Sequence, residues 1–185
     1  MASPPTRLVS FEEFEQLPET PRGFRYELRH GEPVPMPPPN RTHYLVRRRL
    51  RRYLEKAVGG AGEVDIEMPF RPLADFEYWQ ADVAYVSRTR WDQTPSERHL
   101  EGAPDLVVEA LSKSTKRQDR GIKMDRYARN GVPHYWIIDP VKQTLEVYRS
   151  ESGTFALVDT VTTPALFRPT QFKGVRIDLE WLFAP

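Results

Sequence analysis

The sequence contains no cysteine, so it can form neither disulfide bonds nor thiolate metal sites. Histidine is scarce as well, and the histidines are too scattered for their spacing to suggest a zinc site. They are His30, His43, His99 and His134.

Long hydrophobic runs are also missing, because no segment approaches the roughly 20 apolar residues that cross a membrane. The N-terminal segment MASPPTRLVSFEEFEQL lacks the charged start and apolar core of a secretory signal. The chain has 185 residues, of which 39% are hydrophobic and 29% charged, as in an ordinary globular protein. We therefore predict a cytoplasmic protein with a single domain over residues 1–185.

The net charge is only +1, from 27 basic and 26 acidic residues, but the charge is unevenly distributed. Residues 47–52 read Arg-Arg-Arg-Leu-Arg-Arg. A basic helix on a nearly neutral protein can bind a polyanion locally, although a solvated helix face is an equal alternative. Arg47, Arg48 and Arg51 are the candidates for contacts with a phosphate backbone.

Hydrophobic periodicity predicts a mixed α/β (α+β) fold. A helix predicted over Arg41–Val58 has one apolar face and ends at Gly59-Gly60, and a second is predicted over Arg117–Asn130. Strands are predicted at Glu63–Met68, Gln80–Val86, Asp105–Leu111 and His134–Ile138, with hairpins at Phe24–Met36 and Thr144–Val161 and a last strand at Val175–Leu179. This order predicts a central mixed sheet flanked by helices, with N-terminal and C-terminal β-hairpin additions.

Two of the predicted strands carry an acid where an apolar residue is expected. Glu109 lies in the run Leu106–Leu111, and Asp82 lies in Gln80–Val86. A buried carboxylate is costly unless a cation or hydrogen-bond donors meet it. If the strands are neighbours, the two carboxylates can converge on one divalent ion, since Mg²⁺ prefers oxygen ligands. For either acid alone, a strand-end residue in a hairpin or salt bridge is the alternative.

The longest informative segment is PDLVVEALSKSTKRQDRGIKMDRYARNGVPHYWIIDP, at residues 104–140. Together with YELRHGEPVPMPPP, His43, QADVAYVS and LEVYR, it resembles the bacterial family named "putative restriction endonucleases", of the PD-(D/E)XK nuclease superfamily. The matching segments span roughly residues 24–148. The resemblance implies a restriction endonuclease-like core, a mixed sheet with a helix on each side.

The resemblance also implies roles for particular residues. Asp82 and Glu109 would be metal ligands for Mg²⁺, with Mn²⁺ as a substitute, and Glu27 would complete the metal shell through a water. His43 and Gln80 are further candidates for contacts with a phosphate or water. Tyr127, Tyr135 and Trp136 are expected in the core rather than as base-stacking platforms.

The lysine of the superfamily motif is not where it is expected, because Leu111 occupies that position. Lys113, Lys116 and Lys123 are the alternatives, and Lys123 matches the lysine that this family carries on a helix. A helix packed on the sheet can return its ammonium to the acids, and Asp119 and Arg120 are expected to position that helix. Pro104-Asp105 spells the PD of the motif name, but Asp105 would lie roughly 13 Å from Glu109 along the strand. We expect Asp105 to end the strand or cap a loop.

These patterns predict a divalent-metal-dependent endonuclease that hydrolyses phosphodiester bonds in DNA with a metal-activated water. Asp82, Glu109 and Lys123 are the catalytic candidates. The alternative, which Leu111 favours, is a catalytically inactive nuclease-like fold that serves as a nucleic-acid-binding or assembly module. DNA is the expected partner, a homodimer is expected only by analogy with enzymes that cut two strands, and no small-molecule cofactor is expected.

Overall fold

A computed structural model describes residues 7–18, 24–72, 75–112 and 115–185 of the chain. Its helices are α1 (Phe11–Glu15), α2 (Arg41–Val58), α3 (Arg88–Asp92), α4 (Lys116–Asp119), α5 (Ile122–Arg129) and α6 (Leu179–Phe183). Its strands are β1 (Arg25–Arg29), β2 (Glu32–Met36), β3 (Gly62–Arg71), β4 (Glu77–Ser87), β5 (Leu100–Glu101), β6 (Leu106–Ala110), β7 (His134–Asp139), β8 (Thr144–Glu151), β9 (Thr154–Thr162), β10 (Leu166–Phe167) and β11 (Ile177–Asp178).

One mixed sheet forms the centre of the fold, with the strand order β2-β1-β4-β6-β7-β8-β9. Only the β6–β7 pair on this path is parallel, and the chain crosses from β6 to β7 through α4 and α5. Strand β3 pairs with β4 and with the short β5. Both predicted hairpins, β1–β2 and β8–β9, are present and continue the central sheet. The predicted fold class is confirmed.

The edge of β4 that faces β1 and β6 contains a gap in main-chain pairing. Strand β1 pairs with β4 at Glu77 and Tyr78, and β6 pairs with it at residues 83–85. Between these stretches, two side chains take the place of main-chain partners. The Glu27 carboxylate accepts from Gln80 N at 3.4 Å, and the Asp82 carboxylate accepts from Ala110 N at 2.8 Å. The gap therefore brings acids from β1, β4 and β6 together.

Two hydrophobic clusters hold the helices onto the sheet. The larger cluster joins apolar residues of α2 and α6 to the sheet through residues such as Leu50, Trp136 and Leu182. The second cluster joins Tyr127 of α5 to residues such as Trp79 and Tyr135. Tyr127, Tyr135 and Trp136 are fully buried, as predicted. In the parts of the chain that the structure describes, no helix is long and apolar enough to cross a membrane.

The prediction of one continuous helix over Arg117–Asn130 was wrong, because the chain breaks between α4 and α5 at Gly121. Gly121 has φ −117° and ψ −102°, and a Cβ there would lie 2.8 Å from the carbonyl oxygen of Arg117. The predicted last strand was also too long. Asp178 caps α6 by accepting from Glu180 N at 2.9 Å, so the strand ends there and a helix begins.

Candidate active site

A cavity of about 190 Å³ lies at the gap between β1 and β6. Its wall contains most of the side chains that the sequence singled out, together with the rigid segment Pro37–Pro39. The predicted residues in this wall are Glu27, His43, Arg47, Gln80, Asp82, Glu109, Asp119 and Lys123. The fold thus brings together predicted residues that are separated by as many as 96 positions, from Glu27 to Lys123.

Asp82 is held by donors from α2 and β6. Ala110 N and His43 Nε2 meet its Oδ2 at 2.8 and 3.1 Å, and Arg47 meets its Oδ1 at 3.1 Å. His43 Nε2 also lies 2.5 Å from the carbonyl oxygen of Ala110, so its N–H lies between two acceptors. Arg47 Nη1, which contacts Asp82, also lies 2.9 Å from Glu67 Oε1. A carboxylate has about four lone-pair sites, so these donors leave Asp82 capacity for one further ligand.

Glu109 is held from the other side, by α5. The Lys123 ammonium donates to its Oε1 at 2.9 Å, and the Tyr127 hydroxyl donates to the same oxygen at 2.8 Å. Among the described residues, no donor is hydrogen-bonded to the second oxygen, Oε2. The register that pairs Val83 with Val108 places Asp82 opposite Glu109, so both side chains lie on one face of the sheet.

Glu27 completes the acid group from β1. Its Oε2 accepts from Arg29 Nε at 2.8 Å, and its Oε1 lies 3.4 Å from the Lys123 ammonium. Arg29 is two positions further along the same strand, so the two side chains share a face. Arg29 also donates to Gln118 Oε1 at 3.0 Å, and this hydrogen bond connects β1 to α4.

The site's pKa values reflect a surplus of acids around one ammonium. Burial lowers the pKa of Lys123, but the carboxylates of Glu109, Glu27, Asp119 and Asp82 outweigh that effect and raise it. Burial raises the pKa of Glu109 well above its usual value, and the neighbouring acids raise it further against the opposing charge of Lys123. Such a cluster of acids favours the uptake of a cation.

The pKa values of Asp82 and His43 shift in the directions expected of an ion pair. Burial opposes the charged form of each group, but their mutual hydrogen bond and charge dominate. The pKa of Asp82 is therefore lowered, with Lys123 and Arg47 contributing, and the pKa of His43 is raised. Asp82 is consequently ionised and available as an anionic ligand at neutral pH.

The donor set suits a hard divalent ion. Within the described residues, no group of three or more histidine or acid side chains is arranged to enclose a metal. Magnesium sites usually use only one or two protein carboxylates, and waters and phosphate oxygens complete the shell. Asp82 and Glu109 meet that requirement, and the buried Asp119 adds negative charge beside them with neither oxygen hydrogen-bonded.

Several predicted residues lie outside this arrangement. Arg51 contacts Glu55 and Asp65 on the side of α2 that faces β3, away from the cavity. Arg48 is exposed on the surface of α2. Lys116 is also exposed, and it lies 3.6 Å from Asp139. Lys113 falls outside the described residues.

Asp105 has the structural role that was expected of it. Its carboxylate accepts from Ser87 N at 2.7 Å and contacts Arg90 at 3.2 Å, just before β6 begins. It is absent from the wall of the cavity. The PD dipeptide therefore anchors a strand end.

Three contributors to the site were missed or underrated in the sequence. The bond from Tyr127 to Glu109 follows from the spacing of four between Lys123 and Tyr127, which share a face of α5. Asp119 lies four positions before Lys123, at the end of α4, and it remains within 3.8 Å of the ammonium across the break at Gly121. The contact of Arg29 with Glu27 follows from their spacing of two on strand β1. The spacing of four on a helix and of two on a strand were therefore the sequence signals for these residues.

Comparison with known proteins agrees with this fold. Residues 11–180 match the family model Uma2, described as putative restriction endonuclease. The structure resembles the crystal structure of a putative nuclease belonging to DUF820 from Anabaena variabilis, with a TM-score of 0.75 and 20% sequence identity. The likeness covers 95% of this chain and 98% of that one. No curated protein matches. The family match extends over nearly the whole chain, and the chain therefore belongs to the Uma2 family of putative restriction endonucleases.

Proposed function

We propose that this protein is a divalent-metal-dependent endonuclease that hydrolyses phosphodiester bonds in DNA. The observation that carries the proposal is the meeting of Asp82 and Glu109 from neighbouring strands, with the Lys123 ammonium 2.9 Å from Glu109. Two acids in one cavity can hold a divalent ion for phosphoryl transfer, and a lysine beside them can stabilise charge on the phosphate. Membership of a restriction endonuclease family supports the same chemistry.

In this proposal Asp82 and Glu109 would hold Mg²⁺ or Mn²⁺, and Glu27 would contribute to the site through a water. When bound, the ion supplies Lewis acidity to a water and to the phosphate. The Lys123 ammonium stabilises charge that develops on the phosphate, and its raised pKa keeps it protonated. His43 and Arg47 hold Asp82 in place, and Gln80 contacts water or substrate from the cavity wall.

The space around the site supports a polymeric substrate. The cavity of about 190 Å³ can admit a phosphate group and a few waters, since a water takes about 30 Å³. A second cavity of about 730 Å³ shares Asn40, His43 and Ser112 with it. That space can accommodate the nucleotides on either side of a phosphate. The exposed Arg48 is our candidate for a contact with the DNA backbone.

Plasmid cleavage tests the proposal. Wild-type protein with Mg²⁺ or Mn²⁺ should nick supercoiled DNA, while Asp82→Ala and Lys123→Ala should reduce the rate by at least about a hundredfold. Asp105→Asn is the matched control, because it changes an acid that lies outside the cavity, and it should keep wild-type activity. Equal cleavage by all four proteins would remove the assigned site.

A non-catalytic DNA-binding or assembly module is the second candidate, because Leu111 replaces the motif lysine and Asp82 is engaged by His43 and Arg47. Thermal melting with millimolar Mg²⁺ separates the two functions. An ion bound at the acids raises the melting temperature by binding the folded state preferentially. An unchanged melting temperature, together with DNA binding that persists in EDTA, would favour the module.

A further inference from the structure

Asp119 is a buried acid whose carboxylate is incompletely engaged. Only 1% of the residue is exposed, and neither carboxylate oxygen is hydrogen-bonded to any described residue. The Thr115 hydroxyl is near enough to favour its charged form, and it also shares a hydrogen bond of 3.0 Å with the Ser112 hydroxyl, in which either group can be the donor. Buried polar groups without partners are rare in native proteins, and each requires a reason. Asp119 lines the cavity of the proposed active site, which suggests that the reason is functional.

Among the described residues, the cation within ion-pair distance of this carboxylate is the Lys123 ammonium. Its Nζ lies 2.9 Å from Glu109, 3.4 Å from Glu27 and 3.8 Å from Asp119. An ammonium has three donor hydrogens, so it can exchange one acceptor for another by a small rotation of its stem. Asp119 is four positions before Lys123, at the end of α4, and the chain breaks at Gly121 before α5 begins.

The present partner of the ammonium is also a proposed metal ligand. A cation held by Glu109 repels a neighbouring ammonium and competes with it for the same carboxylate. The ammonium then needs another acceptor inside the cavity, since an unpaired buried charge is costly. Asp119 is the acid within reach that has both oxygens open.

We propose that Asp119 is a positioning residue that receives the Lys123 ammonium when Glu109 and Asp82 hold the metal ion. This inference rests on the proposed function, because it assumes an ion at those two acids. Lys123 then has two positions, one paired with Glu109 before the ion binds and one paired with Asp119 afterwards. The second position keeps the charged lysine beside the phosphate instead of expelling it.

Titration calorimetry with Mn²⁺, in the absence of DNA, tests this role. Asp119→Asn keeps the shape of the side chain but removes its charge. We expect a loss of about tenfold in Mn²⁺ affinity, which is typical when a partner of a metal site is removed. The melting temperature of the metal-free protein should be unchanged or higher, because a buried and only weakly paired carboxylate is removed. Asp119→Glu should restore most of the affinity, and Asp125→Asn on the exposed face of α5 should match the wild type.

Two results would overturn the proposal. The first is unchanged Mn²⁺ affinity in Asp119→Asn, with or without a lower melting temperature, since a purely structural role would affect only stability. The second is an additional tenfold loss when Asp119→Asn is combined with Lys123→Gln, because the effects of a residue that acts through Lys123 should not add. If the wild type binds no Mn²⁺, the proposed function falls as well. If Asp82→Asn abolishes Mn²⁺ binding and Asp119→Asn leaves it intact, only the role of Asp119 is rejected and the proposed function stands.

Discussion

The Lys123 ammonium donates to Glu109 Oε1 at 2.9 Å, and each of the two side chains is only 3% exposed. The lysine comes from α5 and the acid from β6, so the pair joins the second crossover helix to the sheet. Leu111, where the superfamily motif would have its lysine, lies just after β6. The position of this pair leads to predictions for both stability and function.

Removal of the ammonium should destabilise the fold strongly. Lys123→Met keeps the length of the stem but leaves Glu109 and its neighbouring acids without their cation. Breaking a buried ion pair in this way costs about 3–5 kcal/mol, and urea unfolding at neutral pH measures the loss. Lys123→Met combined with Glu109→Gln should recover part of it. A Lys123→Met protein within about 1 kcal/mol of the wild type would show that the pair does not stabilise the structure.

The Tyr127 hydroxyl should contribute more to the free energy of unfolding than the Tyr135 hydroxyl, although both tyrosines are fully buried. Tyr127 donates to the carboxylate of Glu109, whereas Tyr135 donates to the main-chain carbonyl of Asp119 at 3.0 Å. A hydrogen bond to a charged group contributes about 1.5–3 kcal/mol and a neutral one about 0.5–1.5 kcal/mol. Urea unfolding of Tyr127→Phe and Tyr135→Phe compares them. A larger loss in Tyr135→Phe would contradict the account.

Much of the fold was predictable because its sequence signals are local. The limits of α2 follow from Asn40, which caps the helix by accepting from His43 N at 2.9 Å, and from Gly59, whose φ is +53°. The break at Gly121 was not predictable from periodicity, because residues 115–121 contain no apolar residue whose spacing could mark it. It depends on the close approach of the Arg117 carbonyl oxygen.

The candidate site was predictable only as a set of residue types. Acids in apolar strands indicated Asp82 and Glu109, but nothing local could show that β1 and β6 lie along one edge of β4. That arrangement is what adds Glu27 to the group. Likewise, the Arg-rich run did not reveal that Arg47 is buried against Asp82 while Arg51 contacts acids elsewhere.

The pair of Arg120 and Glu146 should make stability depend on pH. The hydrogen bond from Arg120, the largest cause, lowers the pKa of Glu146 from its ordinary value of 4.5. The stability that the pair contributes is therefore present above about pH 4.5 and is lost as the pH falls through the lowered pKa. Glu146→Gln should destabilise the protein at pH 7, and the difference from wild type should shrink toward about pH 3. Urea unfolding at both pH values measures it, and a difference that grows in acid would contradict the assignment.

Arg48 and Arg51 should differ in their effect on DNA binding. Arg48 is exposed and forms no ion pair with any described residue, whereas Arg51 contacts Glu55 at 2.8 Å. Arg48→Ala should weaken DNA binding and reduce the slope of log affinity against log salt by about one. Arg51→Ala should leave that slope unchanged. Fluorescence anisotropy over a range of salt concentrations makes the comparison, and a larger effect of Arg51→Ala would shift the proposed DNA path toward β3.

The central claim is that Asp82 and Glu109 hold one divalent ion. A crystal structure of the protein with Mn²⁺, with the metal located by its anomalous scattering, tests this claim most directly. We predict one ion in contact with a carboxylate oxygen of both residues, and no ion at that position in Asp82→Asn. An ion bound elsewhere, or none while Asp82 stays paired with His43 and Arg47, would contradict the account.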